Sequence, residues 1–115
     1  MAKELFRTTI GIENLSQRGR VQELADMLVN SGSAFTWIPR GVLDSLGIKP
    51  ERRGSLIGAD GRKVDRDIGH AIVHAGGVAT ADCVVFAESD DVIRVGARSL
   101  DGLNLKVDVA GKRLV

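Results

Sequence analysis

The sequence has few aromatic residues, and tyrosine is absent. Its 115 residues include three phenylalanines and one tryptophan, although 43% of all residues are hydrophobic. A chain of this length and hydrophobic content can bury a core without disulfides or metal, so disorder is excluded and an aliphatic core is expected. Because the length is typical of one domain, we predict a single domain over residues 1–115.

The sequence also has little cysteine, a small net charge and no long apolar run. The single cysteine, Cys83, excludes an intrachain disulfide and is typical of a reducing compartment, so we expect a cytoplasmic protein. Sixteen basic and fifteen acidic residues leave a net charge of +1, which gives no electrostatic reason to bind nucleic acid or a membrane surface. No apolar run reaches the length of a signal peptide or a membrane span.

Glycine, in contrast, is abundant. Fourteen glycines spread along the chain predict many short elements joined by tight turns. The segment FRTTIGIEN alternates as a strand does, and HAIVHAGGVATADCVVFAE predicts two strands joined at Gly76-Gly77. In SLIGADGRKVDRDI, Asp60-Gly61 predicts a hairpin with a type I′ turn, which needs a positive φ at both central residues.

Short helices are predicted between these strands. RGVLDSLGI follows Pro39, which suits a helix start, and reaches Gly47, which suits a C-terminal cap. ARSLDGLNL predicts a second short helix. In RVQELADMLVN the apolar residues, among them Val21, Leu24 and Leu28, have helical spacing, so periodicity alone predicts a helix there as well. The segments together predict a mainly β domain with one or two short helices.

The stretch MLVNSGSAFTWIP, Met27–Pro39, places an Asn and three small residues between two apolar runs. It resembles the catalytic loop of retropepsin-like (retroviral-type) aspartic proteases, in which an apolar strand delivers Asp-Thr/Ser-Gly-Ala/Ser before another apolar strand. Asn30, Ser31, Gly32 and Ser33 stand at those four positions.

Three further segments extend the resemblance over roughly residues 8 to 110. PRGVLDSLGIKP resembles the short helix after this loop in bacterial single-domain members, and Gly58–Arg62 lies where the family has its flap. VIRVGARSLDGLNLKVD resembles the late hydrophobic-hydrophobic-Gly strand and helix, with Arg94-Val95-Gly96 in the strand. The resemblance implies a closed acid-protease barrel with one or two short helices. It also implies that ELADMLVN is the strand feeding the loop, and this overrides the helical periodicity.

The resemblance further implies an aspartic endopeptidase that acts as a homodimer on an extended peptide or protein, without cofactor or metal. Amide hydrolysis without a covalent intermediate needs a base to activate water and an acid to protonate the leaving nitrogen. Two carboxylates that share one proton supply both, and they titrate as a pair. Since one chain has one loop, the second carboxylate must come from a partner related by a two-fold axis.

This sequence departs from the family at Asn30, where the family has Asp. A carboxamide has nearly the shape of a carboxylate but cannot accept a proton at any relevant pH, so the chain is predicted to fold as the protease folds and to be inactive. Two origins of Asn30 fit. One is a deliberate Asp-to-Asn change that prevents self-cleavage, which we favour, and the other is a naturally inert family member.

The neighbouring residues take their roles from the resemblance. Ser31 corresponds to the residue whose hydroxyl bonds across the two loops, and Gly32 admits the substrate backbone, which a Cβ would obstruct. Ser33 is expected to bind substrate and to donate a hydrogen bond to the side chain at position 30. A flap tip that closes over an extended peptide by strand-like hydrogen bonds is expected at Ala59, Asp60 and Gly61.

Two other interpretations stay open. A naturally inert chain with the same dimeric cleft would be a peptide-binding or assembly module, and an unrelated small β-barrel could have a turn that mimics the motif. His70, His74 and Cys83 have two of the residue types that bind zinc, but no fourth ligand and no known spacing. We therefore expect surface histidines and a small buried Cys83.

The remaining aromatic and acidic residues are assigned to ordinary positions. Trp37 and Phe35 are expected in the core or at a subunit contact rather than in a specificity pocket. Four acids are expected to be solvated loop charges and not a second acid site: Asp65, Asp67, Asp90 and Asp91.

Overall fold

Residues 6–115 are described by a computed structural model, and their backbone is mainly β. The strands in this part of the chain are β1 (Phe6–Asn14), β2 (Gln17–Val29), β3 (Thr36–Pro39), β4 (Arg52–Ile57), β5 (Lys63–Ala75), β6 (Val78–Ala87), β7 (Arg94–Val95), β8 (Val107–Asp108) and β9 (Arg113–Leu114). The helices are α1 (Arg40–Ser45) and α2 (Ala97–Leu103). The prediction of a mainly β fold with one or two short helices is confirmed, and the number of helices is two.

Seven strands form one mixed sheet in the order β1-β2-β7-β3-β6-β5-β4, and β1 also pairs with β5. Six strands therefore form a ring, and β4 continues the sheet beyond β5. Pairing is parallel between β2 and β7 and between β3 and β6, and antiparallel between the other neighbours. The Cα radius of gyration is 13.2 Å, as expected for a folded domain of this length.

Strand β2 covers the segment whose apolar spacing predicts a helix, so that periodicity prediction is wrong and the expected strand is present. Thr8 of β1 lies opposite Met27, but Ile10 lies opposite Leu24. Strand β2 thus has one residue more than β1 in this interval, and Asp26 has a left-handed φ of 58°. This bulge interrupts the side-chain alternation, so inward-facing apolar residues stand three apart and imitate a helical pattern.

The turn between β5 and β6 has the geometry that a tight hairpin needs. Gly76 and Gly77 both have positive φ, 59° and 79°, between the paired residues Ala75 and Val78. A two-residue turn of this kind matches the right-handed twist of the flanking strands. The predicted junction of two strands at these glycines is confirmed.

The turn between β4 and β5 is longer than predicted. Gly61 has a φ of 83°, whereas Asp60 is not among the residues with positive φ, so the predicted type I′ turn is wrong. The Gly61 N–H donates to the Gly58 carbonyl at 3.0 Å, and the Gly58 N–H donates to the Arg62 carbonyl at 2.8 Å. This pattern is that of a hairpin loop closed by a left-handed glycine bulge.

Helix α1 begins and ends where the sequence predicts. Pro39 precedes it, and Gly47 follows it with a φ of 74°. The Gly47 N–H donates to the Asp44 carbonyl and the Ile48 N–H to the Leu43 carbonyl, both at 3.0 Å, which is a Schellman motif. In residues 6–115 no helix has the length and apolar character needed to cross a membrane.

The core consists of two clusters of buried aliphatic and aromatic side chains. The larger includes Ile10, Ile12, Ile38, Val73, Val84, Phe86 and Val95. The smaller includes Trp37, Leu56, Ile68, Cys83 and Val85. Trp37 is 1% exposed and Cys83 is buried, as predicted for both.

Candidate active site

The Asn30 loop connects β2 to β3, and β7 lies between these two strands. β7 runs parallel to β2, with Val95 opposite Val29, and pairs antiparallel with β3 through Arg94 and Trp37. A strand from late in the sequence therefore separates the strand that enters the loop from the strand that leaves it. The loop is held from both sides by main-chain hydrogen bonds.

The beginning of α2 is also attached to the loop. The Ala97 N–H donates to the Ser33 carbonyl at 2.7 Å, and the Arg98 N–H donates to the Ala34 carbonyl at 3.0 Å. The first N–H groups of a helix have no acceptor within the helix, so the loop carbonyls satisfy them. The loop conformation and the start of the helix therefore stabilise each other.

A buried chain of hydroxyl groups joins the loop to β6 and α2. Thr36 Oγ1 accepts a hydrogen bond from the Gly96 N–H at 3.0 Å and lies 2.6 Å from Ser99 Oγ. Ser99 Oγ donates to Asp82 Oδ2 at 3.0 Å. Since Ser99 has a single hydroxyl proton, Thr36 must be the donor in the bond between the two hydroxyls.

Asn30 is half-buried and is held by its backbone and its side chain. Its N–H donates to the Val95 carbonyl at 2.9 Å, and its carbonyl accepts from the Ser33 N–H at 3.0 Å. Its side-chain Oδ1 accepts from the Gly32 N–H at 2.9 Å. A carboxylate oxygen would accept this same bond. Nδ2, which occupies the place of a second carboxylate oxygen, has no hydrogen-bond partner among residues 6–115.

A groove of about 510 Å³ opens beside this loop, and we call it the Asn30 groove. One side is formed by the loop, and the other by β4 and the turn that follows it. The lining residues are Asn30, Gly32–Phe35, Trp37, Ser55–Ala59 and Arg94. The β4–β5 hairpin predicted as a flap thus faces the loop predicted as catalytic.

The predicted site residues separate into two groups. Asn30, Gly32, Ser33 and Ala59 line the Asn30 groove. The other three do not line it, and all are exposed: Ser31, Asp60 and Gly61.

Ser33 does not make its predicted bond to the side chain at position 30. Its hydroxyl donates to the Phe35 carbonyl at 3.0 Å, because the chain turns back on itself between these residues. The same oxygen accepts from Arg94 Nε at 3.0 Å. Ser33 therefore supports the wall of the groove.

Arg94 is the charged groove residue that the sequence reasoning missed. Phe35 and Trp37, which were expected in the core or at a subunit contact rather than in a pocket, also line the groove. Its side chain is 3% exposed and stacks on the Trp37 ring, with 4.3 Å between the guanidinium carbon and the ring centroid. Burial lowers the pKa of its guanidinium, although Asp91 partly opposes this shift. The sequence did contain a signal for this residue, because Arg94 is a cation inside the apolar run VIRVG. An arginine in such a run is expected to be buried, and a buried arginine needs a structural or functional reason.

Among residues 6–115, no acidic side chain lines the Asn30 groove. The expectation of solvated loop charges is wrong for Asp67, which lies in β5 and bonds Arg40 at 2.6 Å, and for Asp91, which Arg66 holds at 2.7 Å. These arginines keep the pKa of both carboxyls below the usual range. Asp65 is exposed as expected, but it lies in β5 and not in a loop. A second acid for a two-carboxylate mechanism is therefore not supplied by the walls of this groove.

The histidines also have ordinary positions. His74 Nε2 lies 2.8 Å from Oε1 of the buried Glu13, and His70 is exposed opposite Cys83 across β5 and β6. Over residues 6–115 no group of three or more His, Cys, Asp or Glu side chains is arranged to hold a metal ion.

A scan against protein-family models gives no match to this chain, and a search of curated proteins gives no significant match. The functional assignment consequently depends on the geometry of the loop, the groove and the hairpin.

Proposed function

We propose that this chain is one subunit of a homodimeric, retropepsin-like aspartic endopeptidase, in an inactive form with Asn30 in place of the catalytic Asp. The observation that carries the proposal is the position of the Asn30 amide. Its Oδ1 accepts from the Gly32 N–H, and its Nδ2 has no hydrogen-bond partner in the described part of the chain. Asn30 also lines the groove that the β4–β5 hairpin faces. A carboxylate there would keep one oxygen oriented and the other available to a water molecule.

The proposed mechanism needs two copies of the chain. A general base and a general acid must both reach the scissile amide, and one chain offers one position for a carboxylate. A two-fold axis beside the loop would bring a second position 30 opposite the first, so that the pair shares one proton. The proposed dimer therefore has one active site with two hairpins over it.

The hairpin provides a way to hold the substrate. Ser55, Leu56 and Ile57 of β4 line the groove, and an extended peptide placed there can bond to main-chain groups as an added strand does. The exposed turn at Ala59–Gly61 would close over the peptide and exclude water. The buried single cysteine fits the reducing, cytoplasmic setting that we propose for the protein.

The test is restoration of activity by Asn30→Asp. We expect this variant to cleave a mixed-peptide library between acidic and neutral pH, with inhibition by a statine-type compound, while the chain with Asn30 does not cleave. Asn104→Asp is the matched control, because it makes the same chemical change at an exposed position beyond α2. It should leave the chain inactive.

Absence of cleavage by a folded dimeric Asn30→Asp variant would contradict the protease proposal. If that dimer still bound extended peptides, the inert peptide-binding or assembly module would be the better assignment. A folded monomer that neither binds nor cleaves peptides would instead indicate an unrelated β domain.

A further inference from the structure

The guanidinium of Arg94 has only neutral hydrogen-bond acceptors within residues 6–115. Nε donates to Ser33 Oγ at 3.0 Å, and Nη1 donates to the Val92 carbonyl at 2.7 Å. Nη2 has no partner there. Every fully buried side-chain nitrogen and oxygen in the described part of the chain has a partner, so Nη2 keeps contact with solvent. Arg94 lines the Asn30 groove, so we infer that Nη2 is the atom that faces it.

The charge of Arg94 is not neutralised by an ion pair within the described residues. Asp91, the acid whose charge acts on the pKa of Arg94, is engaged elsewhere. Both of its carboxylate oxygens bond Arg66, at 2.7 and 2.9 Å, and one also accepts from the Glu88 N–H. No acid in the described part of the chain lines the groove. A buried cation without a counter-ion is costly, and a ligand that brings a carboxylate would remove that cost.

The orientation of the guanidinium is fixed before any ligand binds. Two of its nitrogens are bonded, and its plane stacks on Trp37, 4.3 Å from the ring centroid. An arginine held in this way loses little conformational freedom on binding and forms directional, charge-assisted bonds to a carboxylate. Arg94 is also close in the fold to the loop at position 30, since it bonds Ser33.

We propose that Arg94 makes the Asn30 groove selective for peptides that present a carboxylate to its Nη2 edge. This inference rests on the proposed peptide-binding function of the groove and adds the substrate class. The carboxylate belongs to the peptide, either as an acidic side chain near the central bond or as a C-terminal group. Arg94 is then a specificity residue, and it takes no part in proton transfer.

The experiment uses the chain with Asn30, which binds without cleaving. The probes are N-acetylated, C-amidated octapeptides of Val, Leu and Ala in which Glu occupies each position in turn, each paired with a Gln peptide. Binding is followed by the fluorescence of Trp37, the only tryptophan, and by anisotropy of labelled peptides. A second series has free C-terminal carboxylates and no Glu, which distinguishes the two sources of charge.

We expect the Glu peptide to bind about tenfold more tightly than its Gln partner at one or two positions at pH 7, as for a charged hydrogen bond. This ratio should fall as the pH drops through the Glu pKa of about 4.3 and approach 1 below about pH 3, where the peptide Glu is protonated both free and bound. A preference for free over amidated C-termini, without a preference for internal Glu, would support the same site with the terminal group as ligand.

Arg94→Met should remove the preference, and Arg98→Met is the matched control. Arg98 is a nearby arginine that lies over Phe35 at 5.6 Å but does not line the groove, so its replacement should keep the ratio. The peptide pairs and the pH series on the unaltered chain stay decisive even where Arg94→Met does not fold.

Equal affinity for Glu and Gln peptides at every position, together with equal affinity for free and amidated C-termini, would overturn the role of Arg94 and leave the peptide groove intact. Failure of a folded chain to bind any peptide would instead reject the proposed function, and the role of Arg94 with it.

Discussion

The backbone of Gly96 packs so closely against the Asn30 loop that a Cβ atom on it would lie 2.8 Å from the carbonyl oxygen of Ser33. The carbonyl of Phe35 would be closer still. Gly96 has a φ of −104°, so space and not backbone conformation requires glycine here. Both obstacles are backbone atoms of the loop, which cannot move without disturbing the site.

Gly96→Ala should therefore destabilise the fold by about 2–3 kcal/mol, at the upper end of the cost of overpacking. Gly41→Ala is the control, because a Cβ there meets nothing within 4 Å in an exposed helical position. It should be neutral or stabilising by about 0.5–1 kcal/mol. Urea unfolding of the unaltered chain and of the two variants measures both effects. If Gly96→Ala were as stable as the unaltered chain, the loop backbone would have to shift at little cost in free energy.

The hydrogen-bonded chain from Thr36 through Ser99 to Asp82 predicts that removing either hydroxyl lowers the stability of the fold and that the two losses are not independent. Ser99→Ala leaves the buried Thr36 hydroxyl without an acceptor, which should cost about 1–3 kcal/mol. Thr36→Val should cost a similar amount because the Gly96 N–H loses its acceptor. In a double-mutant cycle the combined variant should lose less than the sum of the two, whereas additive losses would mean that the hydroxyls act independently.

Acid should weaken the fold through Glu13. Its pKa is lowered from 4.5 to about 2, chiefly by the hydrogen bond from the Gly19 N–H and then by Arg18 and His74. Because this pKa is lower in the folded than in the unfolded chain, the ionised Glu13 carboxylate stabilises the fold above pH 4.5. This stabilisation is lost as the pH falls toward 2 and the carboxylate is protonated.

Between these pH values, Glu13→Gln should show a smaller decrease in urea midpoint than the unaltered chain. Some acid sensitivity should remain, because the carboxyls of Asp67 and Asp91 also have lowered pKa values. Glu23→Gln, at an exposed position of β2, is the control and should follow the unaltered chain. Parallel pH curves for all three proteins would exclude the Glu13 contribution.

The proposed active site, shared between two subunits, predicts that the chain with Asn30 inhibits the Asn30→Asp variant. If subunits exchange at random, an equimolar addition should lower the activity to about half, and a threefold excess to about a quarter. Serum albumin at the same mass concentration is the control. Activity that does not change on addition of the Asn30 chain would mean that a single chain carries a complete site.

The sequence predicts most of the fold, and its errors have local causes. The apolar spacing in β2 predicts a helix wrongly, because the bulge at Asp26 interrupts the alternation of inward-facing and outward-facing side chains. Amino-acid composition does not reveal where a bulge occurs. The turn at Asp60 and Gly61 was assigned to the wrong type because Asp-Gly suits several hairpin loops. The capped helix α1 was predictable because Pro39 and Gly47 act locally.

The candidate site was only partly predictable. The loop residues are contiguous, so Asn30, Gly32 and Ser33 could be placed in one site from the sequence. Arg94 and β4 enter the groove through long-range pairing, which a single sequence does not encode in any short pattern. Whether two subunits pair depends on the surface of the fold, which no sequence motif describes. The second position 30 supplied by a partner therefore stays a prediction.

Strand β7, which holds the Asn30 loop, is synthesised long after the loop itself. Arg94 Nε and Ser33 Oγ are 61 residues apart in the sequence and 3.0 Å apart in the fold. A growing chain therefore carries its Asn30 loop without β7 beside it until most of the polypeptide has been synthesised. Under the proposed endopeptidase function, this order of assembly would delay cleavage, because the Asn30 loop of a nascent copy lacks the contacts from β7 that a site at position 30 needs.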